Sequence, residues 1–390
     1  MSPLRLLIVG GGHASLPLLG HAGRLAEAEG ATVTLVSDRS ELWYSGMTPE
    51  WLGGVYTQAD VTIPLAPICE RESVRFVQAR AVGLDRDARE VVLADGRREP
   101  YDVVAFDIGA VNPGWADAEA AVWTKPLWRI EALGRFLDEA GGARRHLVIV
   151  GGGAAGTETA LNVTARPDLH GLSVTVLEPG QRLCPELPTR VGAWAAETLR
   201  RRGATVRLGT RAEGSDAGGV HLPGEVLPAD AVLWATGSVG PPLFGDAGLS
   251  VTERGLARVD VGLRSVDDGR VFVAGDSASV AGREALPRIG VHAVKQGPVL
   301  RENVAQALRA LGAGHDPARV PLRPFRPYPV APLLLSTGEP SAWWIAGPVA
   351  LKSRLLLRLK HAVDRRWIER YRSADTAGSC WDARHAAARG

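Results

Sequence analysis

Residues 6–15, LLIVGGGHAS, return 141 positions later as residues 147–156, LVIVGGGAAG. Each copy is an apolar run of the kind that forms a buried parallel strand, closed by glycines that force a tight turn. A helix starting after such a turn aims its first N–H groups at whatever lies in it and favours an anion there. Each copy therefore predicts a diphosphate cradle, Gly10, Gly12 and Ser15 in the first and Gly151, Gly153 and Gly156 in the second. Serine stands where the general pattern has a third glycine, and it is nearly as small.

The spacing around the two turns also matches. A helical stretch to about Glu29 leads into ATVTLVSD, and one to about Val163 leads into SVTVLEPG. Gly10 to Ser37 and Gly151 to Glu178 are both 27 residues. In a dinucleotide fold this strand end lies over the adenosine ribose, where an acidic side chain accepts from the hydroxyls. Glu178 fits that role. In the first copy Ser37 holds the position and Asp38 follows it, so the contact is open between them; Asp38 can equally cap a turn.

Both copies continue with short alternating strands, a hairpin cue at Asp95–Gly96 in the first, and a last buried strand, YDVVAFDIGA or AVLWATGS. Gly109 and Gly237 close these strands. The first copy is incomplete alone, and GRVFVAGDSASV with GVHAVKQGPVLRENVAQALRALG supplies the missing strand and helix. The expected architecture is α/β: two nested Rossmann-like dinucleotide-binding domains with β-meander insertions, plus a small C-terminal α+β region. The expected boundaries are 1–112 with 247–325 for the first domain, 113–246 for the second and 326–390 for the C-terminal region. Two such domains, one inside the other, hold two different nucleotides facing each other.

Composition narrows the function. The 390 residues carry a formal net charge of +2 and are 45% hydrophobic, so nothing overall points to nucleic acid. Cys69, Cys184 and Cys380 form no pair at metal or dithiol spacing, and the nine histidines do not cluster, so no metal site is expected. No apolar run reaches transmembrane length. The sequence passes from MSPLR straight into the first strand, which predicts a cytoplasmic protein.

VGGGHAS, VGGGAAGTETA with ATGS, and VFVAGDSA together resemble the flavin-dependent pyridine nucleotide oxidoreductases of the glutathione reductase fold class, over nearly the whole chain. LWYSGMTPEWLGG, YDVVAFDIGA, HAVKQGPVLREN and RLKHAVDRRWIERY look like the branch related to type II NADH dehydrogenases and to the flavoprotein module ahead of selenophosphate synthetase in fused proteins. The resemblance implies FAD at the first turn, lined by Gly10, Gly12, His13, Ala14 and Ser15. It also implies that the Asp276 carboxylate accepts from the ribityl chain. His13 reads as a helix-start residue rather than a catalyst. The helix beginning near Arg288 would point its positive end at the flavin pyrimidine edge. Lys295 on that helix faces either the flavin or solvent.

At the second site Glu158 matches the family position near the nicotinamide, or else it is a helix surface residue. A carboxylate at Glu178 suits NADH and repels the 2′-phosphate of NADPH, with Arg182 nearby pulling the other way. Disulfide reductases use a cysteine pair beside the flavin, and sulfide:quinone oxidoreductases, which this branch also resembles, need cysteines too. ELWYSGMTPEWLGG and GTETALNV contain none. An acceptor taking electrons directly from reduced flavin remains, and a quinone is the leading candidate. Alternatives are a slow redox sensor or a reductase of a selenium or sulfur compound.

The end of the chain bears on the acceptor. LKSRLLLRLKHAVDRRWIERYR places Leu355, Leu359, Ala362 or Val363, and Trp367 on one helical stripe among eight basic residues. This predicts an interfacial helix over about 351–372, with the enzyme peripheral on the inner face of the cell membrane. The other reading is a helix packed on the core or on a second subunit, as in a homodimer. Because both cradles lie upstream, removal of the chain from Leu351 is expected to leave nucleotide binding intact. PVAPLLLSTGEPSAWWIAGPV reads as a strand pair at the acceptor entrance.

Overall fold

A computed structural model describes residues 3–113 and 121–372. Two five-stranded parallel sheets dominate. The first runs Val271–Val273, Val103–Phe106, Leu4–Val9, Ala31–Ser37, Arg75–Gln78; the second runs Ala121–Trp123, Ala231–Trp234, Arg145–Val150, Leu172–Glu178, Thr205–Leu208. Val9 pairs with Phe106, and Val150, its counterpart 141 residues on, pairs with Trp234. The two sheets differ in their outer strand. The first borrows it from beyond the second domain, and the second takes it from the segment before its own first repeat strand. This is the nested arrangement.

The strands read as unbroken apolar runs because helices cover both faces of a parallel sheet. Leu6, Leu7, Ile8 and Val9 are at most 1% exposed. Each sheet carries a three-stranded antiparallel insertion, Ala81–Asp85 with Glu90–Leu93 and Arg98–Pro100, and Gly214–Asp216 with Gly219–Leu222 and Glu225–Leu227. Gly96, at φ +85°, makes the turn the Asp–Gly cue announced.

The two crossings between the domains lie side by side, bridged by Val111 and Val239. Buried Asn112 binds them together, donating to Thr236 O at 2.8 Å and accepting from Lys125 N–H at 2.7 Å. Beyond the second crossing, Leu243–Asp246 packs on the first domain, with Phe244 edge-on to Phe106 at 5.4 Å.

The C-terminal region differs from the expected strand pair. It is a three-stranded antiparallel sheet of Leu333–Ser336, Ala342–Ala346 and Val349–Ser353, followed by the helix Arg354–Arg372. Leu351 and Lys352 thus belong to a strand rather than to the helix.

Candidate active site

The first turn is shaped for an anion. Gly10 has φ +93°, and a Cβ there would lie 2.3 Å from the Asp107 carbonyl oxygen. The N–H groups of Gly11, Gly12 and His13 donate to nothing among the described residues. Three such consecutive donors form a concave nest that fits a diphosphate. The next two, of Ala14 and Ser15, donate to Asp107 Oδ2 at 2.7 and 2.8 Å. Ser15 is fully buried and its hydroxyl donates to Gly10 O at 2.8 Å, so serine in the third glycine position is accommodated. Ser37 is buried and its hydroxyl accepts from Arg39 N–H at 3.3 Å, whereas Asp38 is exposed. The Arg39 guanidinium lies over the Trp128 ring, 3.7 Å from its centroid.

Asp276 follows the outer strand of the first sheet, as the sequence placed it, and forms an ion pair with Lys125 from the second domain. Burial, with Arg288 adding, pushes the Lys125 ammonium down to about 8. Gly109 stands beside this site at φ +70°, its carbonyl accepting from Ser277 Oγ at 2.6 Å. Asp276, Arg288, His292 and Gln296 line one pocket, and Gln296 accepts from Gly275 N–H at 2.6 Å. Lys295 places its ammonium 3.7 Å over the exposed Tyr328 ring, on the solvent side of the helix rather than in the pocket of Asp276.

At the second turn, Gly151 has φ +110°, and a Cβ on Gly156 would come 2.0 Å from Gly151 O. No larger residue permits this approach of helix to strand. Glu178 is buried, and its two oxygens accept from Gly152 N–H at 2.9 Å and Gly180 N–H at 2.8 Å. Arg182 is turned away from it, donating to the carbonyls of Cys184, Pro185 and Leu187. Glu186, which the sequence reading passed over, accepts from Ala154 N–H at 2.6 Å. Gly153 begins that helix, and Gly237 lies at the second crossing, where a Cβ would approach Arg254 to 3.1 Å.

Glu158 is no helix surface residue. Its carboxylate accepts from Ser336 N–H at 2.7 Å and Ser336 Oγ at 2.9 Å, and burial pushes it up to about 7. Lys360 pulls it the other way and belongs to a cluster the sequence did not disclose. Lys360 Nζ donates to Glu50 at 2.5 Å, Asp364 at 2.8 Å and Gly46 O at 2.6 Å, with all three side chains buried. His361 bonds the other Glu50 oxygen at 2.7 Å, and Tyr44 donates to Asp364 at 2.9 Å. Tyr44 and Trp367 stack at 4.5 Å, and Trp367 stacks on His13 of the first turn at 5.2 Å. His13 is therefore a wall of the cradle, its imidazole held down to about 4 by burial.

The predicted helical stripe consequently splits in two. Trp367 is buried in this contact, while Leu355, Leu359 and Val363 are 69, 50 and 52% exposed. The helix docks on the first domain and still presents an uncovered apolar face, so the two readings of it are not exclusive. With Trp367 against His13, the upstream cradle does not stand apart from the tail.

Comparison with known proteins agrees with this geometry. A nitric oxide reductase FlRd-NAD(+) reductase of Vibrio vulnificus is 32% identical over 232 residues, 57% of this chain and 58% of that one, so the chain spans just over half of that relative. Demethylphylloquinone reductase NdbB of Synechocystis is 25% identical over 91% of both chains. The solved sulfide:quinone oxidoreductase of Aquifex aeolicus has a TM-score of 0.73 at 16% identity, covering 96% of this chain and 93% of that one, which is a likeness of fold. A type II NADH:quinone oxidoreductase of Staphylococcus aureus is 24% identical over 78% of this chain and 82% of that one. The model of the pyridine nucleotide-disulphide oxidoreductases matches residues 4–297, and the chain belongs to that family of oxidoreductases.

Proposed function

We propose that the protein oxidises NADH and passes the two electrons, through FAD, to a quinone at a membrane surface. The uncovered face of the C-terminal helix carries this reading. Leu355, Leu359 and Val363 form a stripe continued by Leu351, 53% exposed, and flanked by exposed Arg354, Arg358, Arg365 and Arg366. Burying a leucine contributes roughly 1.5–3 kcal/mol, and each basic residue near an anionic surface about 1 kcal/mol. No described helix is long and apolar enough to cross a membrane, so the stripe suits lying in the interface. The Synechocystis relative, by its name, reduces a quinone.

The chemistry closes without a dithiol. NADH, one proton and a quinone give NAD+ and quinol. The described cysteines are buried, with burial raising the Cys69 thiol to about 11 and the Cys184 thiol to about 12, so neither is a thiolate. FAD, when bound, takes hydride and hands on two electrons. The chain's own part is to hold and orient the reactants. The two glycine turns hold the diphosphates, Glu178 holds the NADH ribose, and Asp276 holds the ribityl chain. Glu158, poised near 7, is able to take up or release a proton at neutral pH.

The test is turnover with NADH and either a short-chain soluble quinone or a long-tailed quinone in anionic vesicles. Rapid reduction of both is expected, with vesicle binding weakened but not abolished by high salt, because the leucine term is unscreened. No turnover with any quinone, or indifference to vesicles, overturns the reading. Leu355→Glu with Leu359→Glu should depress only the long-tailed quinone reaction.

A further inference from the structure

We propose that Asp107 is a built-in rival of the FAD diphosphate, so that FAD binding takes up a proton at Asp107. The proposal rests on the reading of the first glycine turn as the FAD site. Five consecutive N–H groups, Gly11 to Ser15, line that turn. Three donate to nothing among the described residues, and the remaining two are held by Asp107 Oδ2. The carboxylate is wedged between two glycines. A Cβ on Gly12 would fall 2.4 Å from its carbon, and one on Gly275 would fall 2.3 Å from its Oδ1. A diphosphate on the neighbouring donors would lie within about 4–6 Å, where two like charges disfavour each other strongly in a buried site.

The second domain supplies an internal control. Asp107 follows Phe106, the partner of Val9, and Ala235 follows Trp234, the partner of Val150. The carbonyl oxygens of Asp107 and Ala235 meet the first glycine of each turn in the same way, at 2.3 and 2.6 Å from its projected Cβ. The NADH turn thus carries a methyl group where the FAD turn carries a carboxylate.

Few charges surround Asp107. From the turn, His13 is neutral near pH 7; from the outer strand, Asp276 is paired with Lys125. From the long helix Gly290–Gly312, His292 is lowered by burial and Lys295 lies over Tyr328. None of them sets the Asp107 carboxyl, which burial raises to about 6 against the pull of the Ser15 and Ala14 N–H groups. A diphosphate beside it raises it further. The proton then sits on Oδ1, leaving Oδ2 to accept its two N–H groups.

The experiment follows release of FAD from the holoprotein on dilution, by flavin fluorescence, between pH 5.5 and 8.5. Wild-type Kd for FAD should rise by up to about tenfold per pH unit above 6. Asp107→Asn keeps an acceptor for both N–H groups and should show a flat profile, with FAD held more tightly above neutrality. In lightly buffered solution at pH 7, wild-type release should return about one proton per FAD, a readout that needs no variant. A flat wild-type profile, a slope shared with Asp107→Asn, or no proton released overturns the proposal. Gly12→Val separates this from the underlying site assignment: FAD retained there at wild-type affinity means that the turn is not the FAD site.

Discussion

On the proposed reading, Glu178 combines two duties in one carboxylate. Its oxygens hold the Gly152 and Gly180 N–H groups, yet a carboxylate has lone pairs enough for ribose hydroxyls as well. Arg182 is committed to three carbonyls and gives a 2′-phosphate no welcome. NADH should therefore be preferred to NADPH in kcat/KM. Glu178→Gln keeps acceptors for the turn and removes the charge, and should narrow the preference by about tenfold or more; an unchanged ratio would show that another group selects the donor. The positive φ of Gly10 and Gly151 was legible because that backbone conformation leaves few residue choices, and the strand-end positions of Glu178 and Asp276 were legible from the apolar runs before them. Asp107 was hidden inside an apolar strand end, and aligning FDIG against WATG was the signal that would have found it.

The C-terminal helix binds through charge on one side and is apolar on the other. Its periodicity announced the leucine stripe correctly, but a stripe does not say what covers it. The Lys360 cluster was illegible because Glu50 lies 310 residues away and no local pattern links the two. Removing one partner of a buried ion group costs about 3–5 kcal/mol. Lys360→Met should lower stability by that order in urea unfolding, with partial recovery when Glu50→Gln is added. Deletion from Leu351 removes the same lysine and the Trp367 stack, so flavin content should fall, contrary to what sequence order alone suggests. Full flavin retention after that deletion would mean that the His13 contact does not support the cradle.

At the scale of the molecule, the two sheets repeat one strand order while exchanging the origin of their outer strands, and Lys125 with Asp276 ties one domain to the other. The doubled motif made the nesting legible. The ion pair was not, since Lys125 lies in a segment without periodicity. The burial of Cys69 and Cys184 also bears on how such an enzyme is poisoned. Trivalent arsenic and gold compounds seek accessible thiolates, and the described chain offers them no pair and no low-pKa sulfur. With Cys380, which lies outside the described residues, replaced by serine, NADH oxidation should survive micromolar arsenite or N-ethylmaleimide that silences a dithiol flavoenzyme assayed alongside, and rapid inactivation would show that Cys69 or Cys184 opens to solvent during turnover. Resistance to heavy metals would then come from a flavoenzyme whose described cysteines take no part in the electron transfer.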